Sequence, residues 1–135
     1  MSATRSLSIV LVFPALIGAC ASTAPDHPSV WGSDQASLTV NESTTTVRIL
    51  ASGGCYGSYG EITQAIPPRD FTLTGTYVQL TGVAPGSVQY PALFTGTVSG
   101  NHLTLSITIS ALQQVLGPFS LTQGVTKVWS ACMYP

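Results

Sequence analysis

LFTGTVSGNHLTLSITIS, residues Leu93 to Ser110, reads as two antiparallel strands joined by a tight turn. Leu103, Leu105, Ile107 and Ile109 alternate strictly with Thr104, Ser106, Thr108 and Ser110. A period of two places the first set on one face of a strand and the second on the other, so one face is buried and the other faces water. Gly100 and Asn101, between the two runs, suit the positive φ angles of a two-residue turn.

The same reasoning extends in both directions. Toward the C-terminus, Leu112, Val115 and Leu116 lie at helical spacing over less than two turns, so Ala111–Leu116 stays open between helix and strand, and Gly117 and Pro118 stop any helix there. Phe119–Thr122 and Thr126–Cys132 read as two last strands with a turn at Gln123 and Gly124. Toward the N-terminus, Phe71–Leu80 sets Phe71, Leu73 and Tyr77 against Thr72, Thr74 and Thr76, and Gly82, Pro85 and Gly86 mark the loop after it. A short strand is expected over Glu61–Ala65, entered through Gly57 and Gly60 and ended by Pro67 and Pro68, because proline cannot serve a ladder interior. Thr44–Ala51, rich in β-branched residues, sets Val47 and Ile49 opposite Arg48 and Leu50 and is interrupted by Ser52, Gly53 and Gly54. Ala36–Val40 forms a first strand, turned by Asn41, Glu42 and Ser43, and order begins near Val30 and Trp31. The expected fold is all-β: a small antiparallel sandwich or barrel of about seven to eight strands behind an N-terminal signal segment. No long internal repeat is present.

A chain of 135 residues has room for one ordinary domain. Charged residues are only 7% of it, with Thr, Ser and Gly in their place, as suits a β-rich extracytoplasmic domain. Beyond the first nineteen residues the charges are Arg48, Arg69 and Lys127 against Asp26, Asp34, Glu42, Glu61 and Asp70, a net of −2. Three scattered cations cannot neutralise a phosphate backbone, which excludes nucleic acid as a partner.

Met1–Arg5 carries one positive charge and precedes an apolar run from Leu7 to Ile17. That run falls well short of the roughly twenty residues a membrane span needs, and Pro14 interrupts it, so it reads as a signal peptide. It ends in Ile17, Gly18, Ala19, Cys20, which resembles the lipobox of bacterial lipoproteins. The resemblance implies that Cys20 receives a diacylglyceryl group, that the leader is cut in front of it, and that the new amino terminus is acylated. Two or three acyl chains anchor stably where one does not. Residues 1–19 are then the signal peptide, 20–29 the lipidated cysteine with a flexible tether of Ala, Ser, Thr and Pro, and 30–135 a single β domain. Ala21 stands where some lipoproteins carry an inner-membrane retention aspartate, which favours the outer membrane of a bacterial cell envelope. Ala19-Cys20-Ala21 also satisfies the small-x-small rule of ordinary secretion, which would release a soluble secreted or periplasmic protein beginning at Ser22.

Three cysteines leave one thiol over in an exported protein, and lipidation of Cys20 removes it. Cys55 and Cys132 then form the expected disulfide in an oxidising compartment, closing a loop that stabilises the fold by about 4 to 5 kcal/mol on the chain-entropy model. The opposing reading, a metal or catalytic pair, lacks a histidine or further cysteine at ligand spacing.

Catalytic constellations are not evident. His27 lies in the tether and His102 beside the hairpin turn, and Asp26 next to His27 makes a poor metal site. Gly57-Ser58-Tyr59-Gly60 lacks the strand-to-helix setting of a nucleophile elbow and reads as a turn, while Glu61 and Asp70 read as solvated carboxylates or partners of Arg69 or Arg48. No cofactor, metal or catalytic residue is therefore assigned. Tyr56, Tyr59, Tyr90 and Trp129 are the candidate binding surface, with Tyr77 and Tyr134 as further aromatics, because such side chains combine contact area with a polar handle; the opposing reading is that they fill the core. Phe71-x-Leu-x-Gly-x-Tyr77 resembles, diffusely, stretches of short uncharacterised bacterial envelope lipoproteins and implies no activity.

The expected function is thus a membrane-anchored envelope lipoprotein whose non-catalytic β domain meets an envelope protein or the cell wall. A small apolar ligand carrier with a barrel interior is the alternative. An enzyme, or a protease-inhibitor-like domain using the rigid Ile66–Asp70 loop, stands last.

Overall fold

The computed structural model describes residues 18, 29–51, 53–81 and 87–132. Eight strands follow one another: β1 Ser29–Gly32, β2 Ala36–Val40, β3 Thr45–Leu50, β4 Tyr56–Ile62, β5 Phe71–Leu80, β6 Ser87–Ser99, β7 His102–Ile109 and β8 Gln114–Gln123. Each pairs antiparallel with the next, and β8 returns to β1, so the sheet closes into an up-and-down barrel. Closure removes the free edges that a sandwich would keep. Cys20, Asp26, His27, the Gly82–Gly86 loop, Tyr134 and the signal peptide apart from Gly18 lie outside the described residues.

The Leu93–Ser110 hairpin forms as its alternation requires. Val98 pairs with Leu103 and Ser99 with His102 around the Gly100–Asn101 turn, where Gly100 takes φ 60°. Leu103, Leu105, Ile107 and Ile109 are fully buried inside, while Thr104 is exposed and Ser106 and Thr108 half-buried outside.

Four boundaries differ from the sequence reading. The strand placed at Glu61–Ala65 is β4, which starts five residues earlier, with Gly57 and Gly60 inside it; at Gly60 the Phe94 ring fills the space a side chain would take. The β6 strand starts at Ser87 and carries Pro91 on its outer side. Ala111–Leu116 splits into one 3₁₀ turn, Ser110–Leu112, and the start of β8, with Gln113 in the left-handed region between them. That strand runs on through Gly117 and Pro118, its pairing to β7 slipping between Leu105 and Ile107. Finally, Thr126–Cys132 is not a strand. A closed barrel offers no edge for a ninth, and the segment touches the sheet at one parallel bridge, Ala131 to Tyr56.

Eight strands enclose an interior that side chains can just fill. Phe94 lies at its centre, fully buried, with Leu38, Val47, Ile62, Leu103, Leu105 and Leu121 around it. Two glycines make room for the Phe94 ring: a Cβ on Gly60 or Gly75 would run into it. A Cβ on Gly96 would run into the ring of Phe71. Trp31 and Tyr77 complete the packed cluster.

Candidate functional site

After β8 the chain turns at Gly124, φ 83°, and continues as an extended strap to Cys132. Gly124 N donates to Val30 O at 2.7 Å, and Val125 lies so close to Gly32 that a Cβ there would strike its carbonyl. Lys127 reaches Asp34 at 3.0 Å. Tyr56 N then donates to Ser130 O and Cys132 N to Tyr56 O, each at 3.1 Å, and Cys132 is disulfide-bonded to Cys55 with the Cα atoms 4.9 Å apart. The strap therefore ties β1, the strand nearest the expected anchor, to the start of β4.

At that junction a bulge reshapes the surface. Ile49 pairs with Ser58 but Leu50 with Tyr56, so one extra residue sits in β4 at Gly57. Bulges re-aim side chains. Here the effect is to set Tyr56 beside outward-facing Tyr59, edge to face with centroids 6.4 Å apart, and to bring Arg48 over the Tyr56 ring at 5.3 Å. The guanidinium and the two half-buried phenols form one corner able to take up both an aromatic face and a hydrogen-bond acceptor.

Of the four aromatic residues expected to share a surface, the structure brings together Tyr56 and Tyr59. Tyr90 faces inward on β6, its ring 6.5 Å from that of Tyr77, and packs on the core. Trp129 is half-buried in the strap, two residues before Ala131, and stays out of the core cluster. From the sequence Arg48 reads as an outward-facing residue able to pair with Glu61 or Asp70; the structure sets it over the Tyr56 ring, a contact the sequence reading does not contain.

A second feature lies where β8 outruns β1. Trp31 pairs with Gln123 and Gly32 with Thr122, after which β1 ends and β8 continues back toward Gln114. An open surface pocket of about 330 Å³ lies there, lined by Gln35, Ile49, Leu50, Gly117, Pro118 and Phe119. Nothing in the sequence pattern announces it, because its lining comes from the turn after β1, the end of β3 and the middle of β8, which only the closed sheet brings together.

The outer face of β5–β8 carries many hydroxyl side chains, among them Thr72, Thr74, Thr95, Thr97, Thr104 and Ser120, together with the exposed apolar side chains of Pro91, Leu93 and Val115. Charged residues of the described chain lie elsewhere: in turns, on β3 and β4, and in the strap.

Glu61, Asp70 and His102 do not converge on one another through any described contact. Glu61 is exposed on β4 between Thr46 and Thr76, Asp70 accepts the Val98 N–H at 3.0 Å, and His102 opens β7 opposite Ser99 and Thr122. Among the described residues no group of three or more His, Cys, Asp or Glu is placed to hold a metal ion. Comparisons with protein-family models, curated proteins and solved structures returned no match.

Proposed function

We propose that this chain is a bacterial envelope lipoprotein, held in the outer membrane through Cys20, whose barrel is a non-catalytic interaction module for an envelope protein or the cell wall. The filled interior carries the second half of this reading. With Phe94 seated against Gly60 and Gly75 and Leu105 and Ile107 fully buried, the interior holds side chains where a carrier would hold its ligand, which supports a partner met from outside. The Arg48–Tyr56–Tyr59 corner is the most featured part of that outside. The lipobox-like run Ile17-Gly18-Ala19-Cys20 supports the first half, and the disulfide fits an oxidising compartment.

The test is metabolic labelling with an alkyne fatty acid, combined with intact mass and fractionation, for the wild type and Cys20→Ala. Label and outer-membrane recovery in the wild type, both lost in the variant, are expected; an unlabelled protein beginning at Ser22 would overturn the anchor. A photo-crosslinking residue at Tyr59 then reads the partner, and adducts to an envelope protein or wall fragment are expected. Absence of adducts together with a co-purifying apolar small molecule would favour the carrier instead.

A further inference from the structure

We infer that the Cys55–Cys132 disulfide is a reducible latch on the seam between β1 and β8, holding the barrel closed through the C-terminal strap. That seam is the least secured in the barrel. The β1 strand has four residues and meets β8 at two pairs, whereas β5 and β6 pair continuously from Phe71–Gly96 to Leu80–Ser87. Beside it an open pocket lies between Gln35, Ile49, Leu50 and Phe119, where β8 has run past the end of β1. The large side chain that β1 contributes to the interior, Trp31, is buried with an indole N–H that has no hydrogen-bond partner among the described residues, so its burial holds the strand less firmly than its area suggests.

What secures β1 from outside is the strap. Val125 covers Gly32, Gly124 bonds to Val30, and Lys127 pairs with Asp34. The far end of the strap rests on two backbone hydrogen bonds to Tyr56 and on the disulfide. The ion pair joins side chains 38% and 93% exposed and contributes little. The covalent bond is therefore the constraint that keeps the strap in place, and both its cysteines are only half-buried.

Opening the latch is a thiol–disulfide exchange. A thiolate of a protein dithiol attacks one sulfur of the Cys55–Cys132 bond, forming a mixed disulfide and releasing the other cysteine as thiolate. The second thiol of the reductant resolves it, so the reductant becomes a disulfide and Cys55 and Cys132 become two thiols, with two electrons and two protons transferred. The strap then lifts from Gly32, the β1–β8 pairs separate, and β1 remains attached to β2 as a hairpin. The opened state exposes Trp31 and the β8 edge.

The full mature chain, carrying Trp129→Phe so that Trp31 is its one tryptophan, tests this. Acrylamide quenching of Trp31 and amide hydrogen exchange are compared with the disulfide intact and after reduction. Quenching is expected to rise several-fold on reduction, with protection lost over 29–32 and 122–123 while 93–109 remains protected. Cys132→Ser, whose strap cannot be latched, should match the reduced protein. Two results overturn the latch: unchanged quenching and exchange after reduction, or loss of protection throughout 93–109 together with the β-sheet circular dichroism, which would make the bond a global staple. None of these outcomes depends on lipid at Cys20.

Discussion

At Gly60 the missing side chain is what Phe94 requires, since its ring occupies the space a Cβ would take, and at Gly75 the Glu61 carbonyl and the same ring both lie in that space. Neither glycine sits at positive φ, so the constraint is packing and not backbone conformation. Gly60→Ala forces the buried ring out of its rotamer or the strand outward, at a cost of about 1 to 3 kcal/mol by urea denaturation. Combining it with Phe94→Leu should recover part of that loss, because the two sites share one space and their effects cannot add. Ser33 presents the opposite case, a side chain that is needed. Its Oγ accepts the N–H groups of Gln35 and Ala36 at 3.1 and 3.2 Å and so shapes the turn into β2. Ser33→Ala should lower stability by about 1 kcal/mol in the same assay, the value of a modest hydrogen-bond set at a partly exposed turn.

Elements show where the sequence could be read and where it could not. In β7 each residue declares its face, since Leu103 through Ile109 alternate without exception and closure buries one side completely. In β4 the inward positions are Ser58, Gly60 and Ile62, and only the last is apolar, so the pattern that identifies a strand is absent. The reason is that Phe94, from β6, supplies the volume that β4 lacks. The strap misleads in the other direction: Val125, Val128 and Trp129 have strand composition, yet β1 and β8 are already joined and no edge remains. Within the candidate site, Tyr56 and Tyr59 were legible as aromatics, but the bulge that sets them side by side is a register irregularity with no local signature, and the inward turn of Tyr90 follows from its register opposite Tyr77. The strap also yields an expected near-null result. Lys127→Ala removes the exposed pair with Asp34 and should change stability by no more than about 0.5 kcal/mol, with little dependence on salt. A larger loss in thermal denaturation would mean that the ion pair, and not the disulfide, fixes the strap.

The molecule as a whole is a barrel with a packed core, and the proposed reading as an interaction module rests on that interior being full. Large side chains on β5 and β6 face glycines on β4, β5 and β6, so the interior is filled by a few rings in place of many medium-sized residues. Such a design concentrates volume, and one truncation then releases much of it. Phe94→Ala should cost about 3 to 5 kcal/mol, the range for removing a fully buried aromatic ring. The space left would be apolar, bounded by Gly60, Gly75 and the surrounding leucines and isoleucines, and cavities of that kind stay dry and accept small aromatic molecules. Benzene should therefore raise the melting temperature of Phe94→Ala and leave the wild type unchanged, as ligand binding to the folded state alone requires. Where Phe94→Ala is too unstable to purify, Phe94→Leu carries the same comparison with a smaller cavity. Stabilisation of the wild type by benzene to the same extent would show that room already exists inside the barrel, and would move the balance from an interaction module toward a carrier.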